Sequence, residues 1–430
     1  MASIKELGNG KYRVFVCNGI KPDGKLNRSS KVIEAKSMAD AKRQAQALEV
    51  DFKRGNEIQF SKAPTFSELV TKWRELKADE VGDKTREAYE VYLKHFMLPY
   101  FGRMRVRDIK AIDIETYLKS LTKDGVRVDG KSGGYSDKTI HNHFMFIQTL
   151  LKYAVKWEII EYNPCVRVDR PKRTKKEVAY YEDTDIAKLF ACLEQEAEEI
   201  VSKFSRKYDL LPTYEAYCRK QVRIFRDLMY KIYVWMALTS ACRRSELVGL
   251  KIDSCDFENN RIMITKTGHY SSGKGIYFKD ILKNGEPSKH VDMPVTMMEM
   301  LKDYLAERSR IIDLMDWEDS GYVFISLEEG NVVYPGGPML PDTISNWFSN
   351  LLEKYNLPKI TLHGMRHSSI SYLINAGVPV KMVAERAGHK NTRTTEEIYS
   401  HVYAKKKRET ADVYNGLFDG FAKDKEDIEK

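Results

Sequence analysis

Hydrophobic and polar positions alternate with period two over Lys11 to Cys17 (KYRVFVC), which predicts a β-strand. A Pro22-Asp23-Gly24 turn leads to a further extended run around Ser30 to Ala35, so two or three antiparallel strands open the chain. Ser37 and Asp40 then form a capping-box pattern before ADAKRQAQALEVDFKR, and Gly55 ends the helix that this stretch predicts. From Thr65 the period changes to that of a helix. Thr65 and Glu68 make a second capping box ahead of Leu69, Trp73 and Leu76. Further helices are predicted over Asp83 to Met97, Ala111 to Leu121 and Ser136 to Trp157, the last with an apolar stripe of Ile140, Phe144, Ile147 and Leu151 that reads as core. Leu193 to Tyr233 is long, charged and helical in character, and nothing in it suggests chemistry. Beyond it, extended segments at Arg261 to Thr267 and Gly275 to Leu282, an Asn284-Gly285 turn and a third segment at Lys289 to Val295 predict one small hairpin sheet. Near the end, Tyr414, Leu417, Phe418 and Phe421 are spaced as one stripe of a tail helix.

These elements predict a multidomain α+β protein. A small three-stranded sheet plus helix occupies 1–56, an all-helical module 64–170, and a mixed, mainly helical domain with a small antiparallel sheet 178–430. A connector at Glu57 to Pro64 and the basic stretch Arg167 to Lys176 (RVDRPKRTKK) separate them. The length of 430 residues, with 42% hydrophobic and 31% charged positions, is that of an ordinary soluble protein with two or three cores.

A net charge of +9 favours a polyanionic partner. Lys11, Arg13, Lys25, Arg28 and Lys31 would decorate the first sheet, and a basic β-ribbon fits a major groove as readily as it forms a solvated face. Lys138, Thr139 and His141 open the last helix of the second module as a phosphate-contacting edge. Lys172 and Arg173 belong to a tether that would neutralise backbone phosphates. The six cysteines are scattered without C-x-x-C spacing, which argues against a zinc site or a disulfide framework and fits a reducing cytoplasm. No charged leader with an apolar core is visible and no apolar run approaches the ~20 residues that span a bilayer, so a cytoplasmic, nucleoid-associated protein is expected, neither secreted nor membrane-bound.

Candidate chemistry concentrates between Thr361 and His401, which hold four of the nine histidines. His363 and Arg366 are three apart and should share a helix face, His389 follows a Gly388 turn, and Tyr399 lies ten residues further on. Each type suits a phosphodiester: arginine offers a planar fork, imidazole shuttles protons near neutrality, and a tyrosine oxygen can become a covalent nucleophile. Upstream, SACRRSELVGL places Arg243 and Glu246 three apart on a helix whose apolar side is Leu247 and Leu250, so the glutamate can orient the arginine.

In order, A-C-R-x-x-E-L, L-H-x-x-R-H, G-H and I-Y-S-H resemble the tyrosine recombinase family, the integrases of phages and conjugative transposons of Gram-positive bacteria. The resemblance covers most of the chain, and its motifs are specific jointly more than singly. It implies site-specific cutting and rejoining of DNA through a 3′-phosphotyrosyl intermediate made by Tyr399, integrating and excising a mobile element. Arg243, Arg366, His363 and His389 would stabilise the phosphate oxygens, His363 would serve as base, and Lys266, in an ITKTG string, would be the general acid, with Lys279 and Lys283 as competitors. No cofactor and no metal are implied. The implied partners are double-stranded attachment sites of core and arm type, bound by the helical and amino-terminal modules. A homotetramer on DNA with the tail docking in trans is also implied, and so are an excisionase or a host DNA-bending protein. Two other readings are a type IB topoisomerase and a non-catalytic DNA-binding regulator on the same fold. Against them stand the amino-terminal module, the tail stripe and the six filled site positions.

Overall fold

The computed structural model describes residues 3–20, 26–53, 64–172, 179–208, 213–280, 288–330, 332–389 and 391–398. The chain forms two compact units, 1–175 and 176–430. The Pro22-Asp23-Gly24 turn, Gly55, most of the Glu57 to Pro64 connector, the Asn284-Gly285 turn and the tail stripe lie outside the described residues.

The first unit opens with an antiparallel sheet, β1 (Ser3–Gly8), β2 (Lys11–Ile20) and β3 (Leu26–Glu34) in that order, followed by α1 (Met38–Lys53). Asn9 and Gly10 join β1 to β2 with both φ positive (53° and 71°), the two-residue turn whose twist matches that of the strands. Alternation puts Tyr12, Val14 and Val16 with Ile33 against Ala41 and Ala45 of α1. Half of the expected capping box is present: Asp40 N donates to Ser37 Oγ at 3.3 Å, whereas the Asp40 carboxylate accepts from Lys36 N at 3.4 Å, one residue before the cap.

The helical module begins with α2 (Phe66–Lys77), whose capping box is complete: Thr65 N donates to Glu68 Oε2 at 2.7 Å and Glu68 N to Thr65 Oγ1 at 3.3 Å. α3 (Asp83–Tyr92) passes through a π turn at Leu93–Met97 into α4 (Leu98–Phe101), and α5 (Ala111–Ser120) and α6 (Asp137–Lys156) follow. The apolar stripe of α6 is buried as its period requires, with Phe66, Trp73, Phe101 and Tyr117. His143 sits in this core with Nδ1 2.7 Å from Tyr117 Oη, and burial lowers its pKa to about 4.

The second unit is mainly helical. α7 (Asp183–Tyr208) pairs with α8 (Tyr214–Ser240), where Phe190 stacks on Trp235 at 3.6 Å. A short α9 (Arg244–Val248) precedes β4 (Cys255–Asp256), β5 (Arg261–Ile264), β6 (Thr267–Ser271), β7 (Gly275–Lys279) and β8 (Lys289–Asp292). The expected single hairpin sheet is in fact two, β4-β5-β8 and β6-β7. Between them the backbone at Lys266 lies so close against Gly249 that a β-carbon there would collide with it, so the chain leaves the first sheet and β6 packs on Val248. α10 (Val295–Met315), α11 (Pro341–Lys354), α12 (Leu362–Asn375), α13 (Val380–Ala387) and α14 (Thr392–Ile398) complete the unit. One continuous core joins α7, α8, β5, β8, α10 and α11 around Tyr233, Leu301, Phe324 and Phe348.

Candidate active site

Ala241, left-handed at φ 53°, ends α8 and turns the chain into α9. Arg243 is therefore the residue before α9 and not inside a helix, which differs from the expectation drawn from its spacing. Its position still serves the pairing: Arg243 N donates to Glu246 Oε2 at 2.9 Å and its guanidinium to Glu246 Oε1 at 2.6 Å. Glu246 is fully buried. Burial would raise its pKa, but the charges of Lys289 and Arg243 and the hydrogen bonds from Arg243 hold it below the ordinary carboxylate value. The fork of Arg243 is thus held by a partner whose carboxylate form is favoured.

Arg366 lies in α12 and is 2% exposed. Its guanidinium donates to Ala241 O at 2.7 Å and to Ala387 O, the carbonyls that end α8 and α13. Both are negative helix ends, which favours a cation between them. Two residues earlier, Gly364 lets α12 pack closely on the chain before it, since a β-carbon there would meet Ile360 Cβ at 3.0 Å and Ala179 O at 3.2 Å. His363 and Arg366 do share α12, but not at the same depth: His363 is exposed, with its ring edge-on to His367 at a centroid distance of 4.7 Å. Three residues advance a helix by 300°, so one side chain can face inward while the other stands at the rim.

His389 is placed by the end of α13. Gly388, at φ 65°, lets Gly388 N donate to Glu385 O at 2.8 Å and His389 N to Ala384 O at 2.9 Å, the paired bonds of a Schellman motif. Its Nδ1 lies 2.7 Å from Thr395 Oγ1 of α14. Burial first, and then the charges of Arg366, Arg243, Lys289 and His363, bring His389 to about 4. His367 is lowered to about 3 by burial and the same neighbourhood. Both rings are neutral at pH 7. Arg243 also donates to Gly388 O at 3.4 Å, so Arg243, Arg366 and His389, drawn from three distant segments, converge on one helix end.

Lys266 follows β5, partly exposed, with Nζ 3.4 Å from Asp280 Oδ1. Lys279 pairs across β6 with Thr267, its ammonium 5.6 Å from the Tyr277 ring. Lys283 and Tyr399 lie outside the described residues, as do Lys25 and Arg173. In the amino-terminal sheet the register divides the basic set. Lys11 stands opposite Glu34 and Arg13 opposite Val32, both on the face away from α1, whereas Lys31 stands opposite Val14 and belongs to the other face, and in the backbone pairing Arg28 lies opposite Cys17. Lys5, opposite Arg13, joins the outer face and was not anticipated. Thr139 is engaged in capping α6, with N 3.4 Å and Oγ1 3.1 Å from Ser136 Oγ. His141 ties α6 to the chain that follows it, through Pro171 O at 2.9 Å and Arg170 at 3.2 Å. Lys138 and Lys172 are exposed.

Sequence reasoning missed Lys289 and Arg386. The alternation Lys289-His290-Val291-Asp292 puts Lys289 on the same buried face as Val291, which was a usable signal. Arg386 clamps α13 by donating to Asp292 O at 2.8 Å and to Thr239 O, and only the tertiary structure discloses that.

A mainly helical domain gathers two arginines, a buried acid and neutral histidines at one pole, groups suited to phosphodiester chemistry. Residues 217–406 match the phage integrase family and residues 65–122 the phage integrase N-terminal SAM-like domain. The chain belongs to that family, the tyrosine recombinases. It is 26% identical over 430 residues to a XerC-like tyrosine recombinase of Caldanaerobacter subterraneus subsp. tengcongensis, covering 95% of this chain and 97% of that one. To the ICEBs1 integrase of Bacillus subtilis it is 21% identical over 420 residues, 96% and 100% covered. Among solved structures, the Tn1549 transposon integrase in complex with transposon right end DNA shares its fold, with a TM-score of 0.56 at 19% identity over 81% of this chain and all of that one. A lambda integrase tetramer bound to a Holliday junction matches with a TM-score of 0.50 at 13% identity, over 90% of this chain and 96% of that one.

Proposed function

We propose that this recombinase integrates and excises a bacterial mobile element by strand exchange at specific attachment sites, in the cytoplasm. The observation that carries this reading is the convergence of Arg243, Arg366 and His389 on the end of α13. Tyr399 Oη attacks the scissile phosphorus, forming a phosphotyrosyl bond to the 3′ strand end as the bond to the 5′ oxygen breaks. The phenolic proton passes to His363, and Lys266 protonates the leaving 5′ oxygen. Negative charge grows on the non-bridging oxygens, and the two guanidinium forks with the neutral His389 are the donors that meet it. One phosphodiester replaces another, so the step is near thermoneutral, and the freed 5′-hydroxyl of a partner strand reverses it.

The outer face of the first sheet, with Lys5, Lys11 and Arg13, is the arm-site reader in this reading. The module over 64–170 binds the core site in this reading. Four subunits assemble on two duplexes, with the tail stripe of each in its neighbour, and an excisionase or DNA-bending protein sets direction. Similarity along the whole chain to an integrase and a recombinase favours strand exchange over relaxation alone.

The test is a supercoiled plasmid carrying the element's joined ends, with covalent protein–DNA adduct scored on a denaturing gel. Wild type should form adduct; Tyr399→Phe should bind the DNA and form none, while Tyr403→Phe forms it. Adduct from Tyr399→Phe but not from Tyr403→Phe would move the nucleophile to Tyr403.

A further inference from the structure

Lys289 enters the candidate site from β8, opposite Ile264 and on the inward face with Val291. Its side chain is 7% exposed. The stem runs beneath the turn that ends α13, where a β-carbon on Gly388 would meet its Cδ at 3.4 Å. The ammonium reaches Glu246 Oε2 at 3.7 Å and donates to Cys242 Sγ at 3.6 Å. A methionine would fill the same space without a charge. Burying an ammonium is unfavourable unless an anion faces it, so the charge itself needs an explanation.

That explanation lies in the carboxylate. Glu246 must be ionised to accept both hydrogen bonds from Arg243, yet it is completely buried, which favours the neutral acid. The groups that face it are Arg243 on its own turn and Lys289 from β8; Cys242 lies against the Lys289 ammonium, and His389 lies close enough to feel both cations. Among the influences that keep Glu246 ionised, the charge of Lys289 is the largest. Arg243, Arg366 and Lys289 against Glu246 also leave the pole with two excess positive charges, which a phosphorane dianion would neutralise and a phosphodiester monoanion would not.

We infer that Lys289 is a positioning residue for strand cleavage: it fixes Glu246 as an anion and, through Glu246, holds the Arg243 fork at the end of α13. This rests on the reading of Arg243 as a phosphate-binding residue.

The experiment measures the rate of covalent adduct formation on the same plasmid between pH 6 and 9, for wild type, Lys289→Met, Glu246→Gln and the double variant. Adduct from wild type secures the recombinase reading independently, and no adduct from wild type would count against that reading before any variant is compared. At pH 7 Lys289→Met should be slower by about 10- to 100-fold, the usual effect of removing a group that orients an active-site ligand. The deficit should shrink as pH rises, because Glu246 without its lysine ionises only at higher pH. In the Glu246→Gln background the same substitution should cost little more, since the charge it serves is gone. A pH-independent deficit, or equal losses in both backgrounds, would overturn the inference and leave Lys289 as packing. Should Lys289→Met not fold, the neutral pair carries the test: it should fold and match Glu246→Gln, and its failure to fold would equally overturn the inference.

Discussion

Replacing Arg366 by lysine isolates the guanidinium from its charge. In the structure the arginine bridges two carbonyls, Ala241 O and Ala387 O, from a position that is 2% exposed. An ammonium on a shorter stem is a point donor and can hold one of them, so the other carbonyl is left facing a void. A hydrogen bond from a charged donor contributes about 1.5–3 kcal/mol, so the variant should lose about 2 kcal/mol of stability. For a domain of this size that is a fall in Tm of roughly 4–8 °C. Catalysis should suffer more. Removing one preorganised donor to a developing oxyanion typically lowers turnover by about 10²–10³-fold, and the lost bridge also frees the two helix ends to separate. Chemical denaturation gives the first number. Single-turnover adduct formation at 20 °C, well below either Tm, gives the second, with binding checked by mobility shift. Cleavage within about threefold of wild type alongside the expected stability loss would show that Arg366 is a clamp between α8 and α13 and takes no part in the chemistry. Unchanged stability would refute the bridging argument itself.

Lys266→Ala should be slow on ordinary DNA but recover on a substrate with sulfur at the 5′-bridging position, because a thiolate leaves without a proton; recovery by Lys279→Ala or Lys283→Ala instead would move the general acid. Deleting residues 1–62 should spare cleavage of a short core duplex yet sharply lower recombination between full attachment sites, since a second binding site contributes an effective-concentration gain of ~10²-fold or more; equal loss in both assays would make the sheet module part of the core fold. The buried His143 predicts an acid-sensitive fold. Its pKa of about 4 in the folded state lies below the ordinary 6.5, so protonation favours the unfolded chain. Stability should be full above pH 6.5 and decline towards pH 4, by up to about 3 kcal/mol from this group, as read by denaturant midpoints. His143→Phe, which leaves Tyr117 without its partner, should be less stable at pH 7 but show a shallower decline, and an unchanged slope would discard the assignment.

Much of this protein is legible in its sequence because the signals are local. Period-two alternation from Tyr12 to Val16 and the helical stripe on α6 state which side of each element is buried, and burial follows. The capping box at Thr65 and the cap at Ser37 mark helix starts because the bonds that make them span three or four residues. The motif strings around Arg243, Arg366 and His389 name the chemistry, since few residue types can grip a phosphate. What the sequence leaves open is everything set by distant partners. That the extended segments divide into two sheets depends on the backbone at Lys266 meeting Gly249, a contact between segments that pattern reading treats as independent. Which face Lys31 joins is decided by its pairing with β2, which sets it opposite the buried Val14. The depth difference between His363 and Arg366 arises because the carbonyls of Ala241 and Ala387 come to the arginine from 125 and 21 residues away. Lys289 reads as one more charged strand residue until β8 lays it under Gly388 and against Glu246, where burial turns an ordinary cation into a determinant of its neighbour's charge. Local pattern records how each segment interacts with water, whereas the electrostatics of a site depend on which segments exclude that water together, and only the tertiary structure decides that.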